Sequence, residues 1–175
     1  MKTNIWMKKF LAILGSALMG TMLATSSYAA TEPVVAQVTF ADPIAITPVN
    51  ALQYGVIDHI LNLEVITIDP DSGLTGDGVP LILGGTQAAA NLTIDAEASQ
   101  VLSIQVGTIV DGTGYALSAF TCQYNGGSNT ACQAAPHTPT AVASATLFIG
   151  ATLTGDNAAV PGPADGSFIV TVTYQ

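Results

Sequence analysis

Arginine is missing from all 175 residues, and lysine occurs only at Lys2, Lys8 and Lys9. The single tryptophan, Trp6, and all four methionines (Met1, Met7, Met19 and Met22) lie in the same opening stretch. Acidic residues run the other way. All twelve fall between Glu32 and Asp165, so the formal charge of −9 becomes about −12 once the opening stretch is set aside. A phosphate backbone needs Lys and Arg to neutralise it, which excludes nucleic acid as a partner. The same lack argues against an anionic membrane surface, a phosphorylated ligand and Schiff-base chemistry. Any charged partner is expected to be cationic, and no cofactor is implied. A chain without Lys, Arg or Met offers no site to trypsin-like proteases and no thioether to oxidise. That composition suits long exposure outside a cell, although drift in a small Ala-, Thr- and Gly-rich protein produces it too.

Long hydrophobic runs are equally scarce. The one present, Phe10 to Leu23, follows the three lysines and precedes Ser27-Tyr28-Ala29, which puts small residues at the −3 and −1 positions of a cleavage site. This predicts a signal peptide over residues 1–29, cut before Ala30, and a product exported through the periplasm to be secreted or held at the cell surface. The run is shorter than the ~20 residues a membrane span needs, and no lipid-attachment Cys or stop-transfer cluster follows it. No anchor is expected. Residues 30–175, about 146 in all, suit a single domain that buries roughly two-thirds of its unfolded surface.

Cysteine is limited to Cys122 and Cys132. In an exported chain an even count points to one disulfide, and closing so short a loop is worth roughly 3 kcal/mol in the chain-entropy model. The competing reading is a zinc site completed by His59 and His137, whose spacing fits no usual zinc pattern.

Helical periodicity is absent as well: from residue 34 onward the chain consists of short Val-, Ile-, Thr- and Leu-rich runs separated by Gly, Pro, Asn and Asp. Strands are predicted over Val34–Phe40, Ile44–Thr47, Ile60–Ile68, Pro80–Leu83, Asn91–Asp95, Val101–Ile109, Tyr115–Cys122, Thr146–Leu153 and Phe168–Tyr174. Turn residues lie between them at 69–73, 76–78, 111–114, 125–127 and 161–163. This pattern predicts an all-β fold, an antiparallel two-sheet β-sandwich of immunoglobulin-like type. Both outer predicted strands alternate cleanly. Val34, Ala36, Val38 and Phe40 share one face, and so do Phe168, Val170, Val172 and Tyr174.

Two stretches near the start, Val38-Thr-Phe-Ala-Asp-Pro-Ile-Ala-Ile46 and Ala51-Leu-Gln-Tyr-Gly-Val-Ile57, resemble the opening of the domain of unknown function 4402 family. Near the other end, Ala145-Thr-Leu-Phe-Ile-Gly-Ala-Thr-Leu153 and Gly166-Ser-Phe-Ile-Val-Thr-Val-Thr-Tyr174 are similar to that family's paired closing strands. The resemblance covers nearly all of residues 30–175 by the order and spacing of its motifs, and it does not include the Cys122–Cys132 loop with Pro136-His-Thr-Pro139. It implies a secreted bacterial β-sandwich loosely similar to pilus subunits, and it implies no activity.

Candidate chemistry is thin. Asp58 and His59 are neighbours, but no nucleophile turn accompanies them, and adjacent strand residues face opposite ways. His137, between two prolines, reads as a solvated loop residue. Paired carboxylates can hydrolyse glycosides, yet residues 30–175 lack the tryptophan platforms of sugar subsites. Asp69, Asp71 and Asp77 sit in one Gly-rich stretch and are a weak calcium candidate that fails the EF-hand spacing. Asn91-Leu92-Thr93 satisfies the glycosylation rule inside a predicted strand, where it carries no functional weight.

The expectation is therefore a protein that is not an enzyme. One reading is a structural subunit of a pilus-like fibre or surface coat that associates with itself or with other surface subunits by strand addition. Its connecting candidates are Val34, Ala36, Val38 and Phe40, hinged by Asp42-Pro43, with the Phe168–Tyr174 strand next. The simpler reading of residues 34–40 is that they form the first strand of the same sandwich. The alternative function is a monomeric adhesin or carbohydrate-binding module using Tyr124, Asn125 and Asn129 of the cysteine-closed loop.

Overall fold

One strand carries both neighbouring halves of a sheet. In a computed structural model, which describes residues 37–38, 40–58, 62–71 and 73–175, the thirteen residues Ser144–Asp156 form β10. Its side chains Ala145, Leu147, Ile149, Ala151 and Leu153 alternate into the core, as the strand period requires. The other strands are β1 (Ala45–Asn50), β2 (Val56–Ile57), β3 (Asn62–Asp69), β4 (Gly73–Thr75), β5 (Ile82–Gly84), β6 (Ala90–Asp95), β7 (Leu102–Val110), β8 (Tyr115–Tyr124), β9 (Thr130–Ala131) and β11 (Ser167–Tyr174). The chain divides into two compact units, Met1–Thr39 and Phe40–Gln175. Every strand named above lies in the second.

Along one edge β10 pairs with β8 from Leu147 to Gly155. Its other edge is shared. Ser144–Ile149 pair with β6, and Ala151–Asp156 pair with β3. Gly150 stands at the changeover, where an added Cβ would lie 2.0 Å from the Ile68 carbonyl oxygen. β1 pairs with β6, β4 with β3 and β9 with β8, all antiparallel. A second sheet pairs β11 with β7. The two sheets face one another across a core containing Ile66, Ile94, Leu102, Ile104, Phe120, Leu147 and Ile149, so the fold is an antiparallel β-sandwich. Phe120 of β8 and Phe168 of β11 meet across it with ring centroids 4.9 Å apart.

Three bulges set the phase of the strands. Where β8, β7 and β3 slip against their partners, Ala119, Thr108 and Leu63 adopt φ of 48°, 43° and 63°. A left-handed conformation is costly for residues with a Cβ, and since all three are exposed it is the paired backbone on either side that holds it. On β8 the extra residue lets Leu117 and Phe120, three apart, both point inward.

Most predicted strands are present with shifted ends. The run predicted as a strand at Pro80–Leu83 is a 3₁₀ turn over Val79–Leu81 followed by β5, because Pro80 suits a helical first turn and cannot donate to a ladder. The short strands β2, β4 and β9 add to the prediction. In the predicted Val34–Phe40 strand, the described residues Gln37, Val38 and Phe40 are not in a strand. Val34 and Ala36, like His59, lie outside the described residues.

Candidate assembly surface

The strand order runs around the sandwich almost completely. From β1 it passes through β6, β10, β8 and β9. The chain then leaves β9 and lays residues 132–140 along the edge of β7. The Val106 amide donates to the Cys132 carbonyl (2.8 Å), Ile104 exchanges both backbone bonds with His137 (2.9 and 2.8 Å), and the Leu102 amide donates to the Pro139 carbonyl (2.9 Å). Cys132 also donates its own amide to the Phe120 carbonyl on β8 (3.1 Å). It therefore joins the two sheets at this corner. The disulfide to Cys122, with Cα atoms 5.8 Å apart and both residues fully buried, pins that corner covalently.

The opposite corner, between β1 and β11, is not sealed. Among the described residues β1 pairs only with β6 and β11 only with β7. The consequence shows in burial across the β7–β11 ladder. Leu102, Ile104 and Val106 on β7 are 0–1% exposed, while their cross-strand partners Tyr174, Val172 and Val170 are only half-buried. Burial on the β7 side is complete because residues 132–140 cover its flank. β11 has no such neighbour among the described residues. Between the two edges lies an apolar recess of about 460 Å³, walled by Ile46 and Pro48 of β1 and by Phe168 and Val170 of β11, with Leu92 and Leu117 behind. The Tyr174 end is closed by that phenol, which donates to the Asp42 carbonyl (2.7 Å) and accepts from the Glu97 amide (2.7 Å).

A second recess of about 1060 Å³ opens at the end of the sandwich beside Tyr54, Asp58, Tyr115 and Pro161. Its two tyrosine hydroxyls are already bonded to backbone carbonyls. Tyr54 donates to the Ala151 carbonyl (2.7 Å), and Tyr115 donates to the Ala164 carbonyl (3.0 Å). Burial pushes both phenols above their ordinary range, Tyr54 more strongly, with a further contribution from Tyr115 beside it.

The remaining predicted site residues are dispersed or engaged. Asp77 accepts from the Val65 amide (2.6 Å), Asp71 accepts from Asn129 (2.6 Å), and Asp69 closes the β3–β4 pairing opposite Gly73. Among the described residues no three His, Cys, Asp or Glu side chains are grouped as they would be to hold a metal ion. Tyr124 is not a loop contact. β8 continues two residues past its predicted end, which carries Tyr124 inward to 5% exposure with its hydroxyl accepting from the Val142 amide (3.2 Å). Asn125 stays exposed at φ 49°, and Asn129 ties the loop to Asp71. His137 is not a free loop residue either, since its backbone is paired to β7 and burial lowers its pKa below 6.5. Asn91 sits in β6 between two partner strands, with its Oδ1 buried and unbonded. Sequence reasoning missed the sealing role of residues 132–140, for which Pro136 and Pro139 gave a misleading loop signal.

These features define a disulfide-pinned antiparallel β-sandwich with one unsealed corner. The chain belongs to the DUF4402 family, a domain of unknown function, whose profile matches residues 44–174. No curated protein and no solved structure matches it.

Proposed function

We propose that this protein is a non-catalytic, exported structural subunit that builds a fibre or coat at the cell surface by associating with copies of itself. The observation that carries the reading is the unsealed corner between β1 and β11, two strands that have one partner each among the described residues and flank an apolar recess. An unpaired edge beside half-covered apolar side chains is a template for strand addition, in which backbone bonds supply affinity and alternate side chains supply register. Composition supports the same setting. A lysine-free, arginine-free and methionine-free chain after residue 22, with a buried disulfide, is suited to persistence in an oxidising, protease-rich space. The phenols at the larger recess are already bonded to backbone carbonyls, which gives the carbohydrate-binding alternative less support.

Sedimentation of the full secreted chain, together with electron microscopy of cells with and without it, tests the proposal. Multimers in solution and a surface structure that disappears with the protein are expected. A chain that stays monomeric at all accessible concentrations, with an unchanged cell surface, would leave the lone-adhesin alternative in its place.

A further inference from the structure

We infer that two copies of this chain join edge to edge through β11, antiparallel about a two-fold axis at Thr171, so that their β7–β11 sheets run on as one. This rests on the self-association reading above and names its contact.

The direction of the backbone groups comes first. Ile104 exchanges both of its backbone bonds with His137, and the amides of Leu102 and Val106 donate to Pro139 and Cys132 on the same side of β7. Across the ladder these three residues stand opposite Val172, Tyr174 and Val170. Residues opposite one another in an antiparallel pair turn their backbone groups the same way relative to the ladder, both inward or both outward, so those of Val170, Val172 and Tyr174 point to the outer edge of β11. Among the described residues no strand pairs with that edge. It offers a row of donors and acceptors beside half-buried apolar side chains.

The edge also lacks what usually blocks one. β1, the other edge at this corner, carries Pro48 with a register shift beside it, whereas Gly166–Gln175 contain no proline and no charged side chain. The chain has twelve acids and, after Lys9, no basic side chain except histidine. Copies can therefore meet along this stretch without setting carboxylates against one another.

The sequence of β11 identifies the occupant. Read outward from Thr171, Val170 matches Val172, Ile169 stands against Thr173, and Phe168 stands against Tyr174. A two-fold axis through Thr171 sets each residue opposite its mirror position, which makes the strand its own complement. Val170 of each copy then exchanges both backbone bonds with Val172 of the other, and the apolar side chains of both copies fall on one side of the joined sheet. Such a contact closes on itself, so growth beyond the pair uses a different surface.

The test uses the full secreted chain. Thr171 is exposed, and a non-hydrogen-bonded pair across the axis sets its two Cα atoms about 4.5 Å apart, within reach of a disulfide. Thr171→Cys is therefore expected to give a covalent dimer on mild oxidation, at least tenfold more than Thr173→Cys, whose opposite number is Ile169. Charge supplies a second arm. Thr171→Asp and Thr171→Lys populations should each associate at least tenfold more weakly than the wild type and should pair with one another when mixed. Equal cross-linking at 171 and 173, or aspartate and lysine populations that stay apart when mixed, would overturn the two-fold pairing while wild-type multimers leave self-association intact. Slow amide exchange at Val170 and Val172 in a monomer would overturn it too, because the edge would then be filled from its own chain. A wild-type chain that never multimerises would remove both the pairing and the reading on which it rests.

Discussion

At the scale of single residues, Gly150 and His137 show how little room the sandwich leaves. Gly150 is required because the backbones of β3 and β10 converge where β10 changes partners, with Pro70 Cδ 2.9 Å from an added Cβ as well as the Ile68 oxygen. Gly150→Ala should destabilise the fold by about 2 kcal/mol or more, the scale of overpacking in a tight interior, read as a lower urea midpoint at unchanged slope. His137 sets a pH dependence. Burial lowers its pKa from 6.5, so the folded chain binds this proton less readily than the unfolded chain. The neutral ring's contribution is complete above about pH 6.5 and is lost as pH falls through the lowered folded value. Melting temperatures measured from pH 7.5 down to 5 should therefore decline more steeply for the wild type than for His137→Gln.

At the scale of elements, Tyr174 is the fastening of β11. Its hydroxyl bonds both the Asp42 carbonyl, just before β1, and the Glu97 amide, between β6 and β7. Tyr174→Phe should cost about 1–2 kcal/mol in denaturant unfolding, since a partly buried amide is left without its acceptor. Faster amide exchange at Glu97 would identify the cause. Strands of this kind were legible where alternation lasted six residues or more within residues 44–174, as in Phe168–Tyr174 and Thr146–Leu153, whereas the equally regular Val34–Phe40 run has its described residues outside any strand. β2 and β9 have two residues each, too few for a period-two pattern to register. Tyr124 was misread for a related reason. It is in phase with Cys122 on a strand that runs on to it, and only pairing with Leu147 shows that the strand has not yet ended. The unsealed corner itself was half legible. Alternation exposed the apolar face of β11, but the identity of its neighbours depends on pairings between residues far apart in the chain, which no local pattern encodes. The turn at residues 69–73 and the disulfide were readable because Asp, Pro and Gly, and an even cysteine count, act locally or leave a single pairing to make.

At the scale of the whole molecule, the contrast between the two corners makes the sandwich a clamshell. The Cys122–Cys132 bond and the backbone bonds of residues 132–140 form a fulcrum, and the β1 and β11 edges are the lips. Thermal opening then has a direction. Amide exchange on β1 and β11 should be the fastest of the paired strands, with the β7–β8 corner approaching the exchange rate of global unfolding. Replacing Cys122 with Ser should raise exchange at Val106 and Cys132 well above its effect on β1, because it loosens the fulcrum and leaves the lips as they were. A joint that breathes only at its mouth can accept a strand without unfolding behind it, and each seating would stiffen the side of the shell that the covalent bond cannot reach.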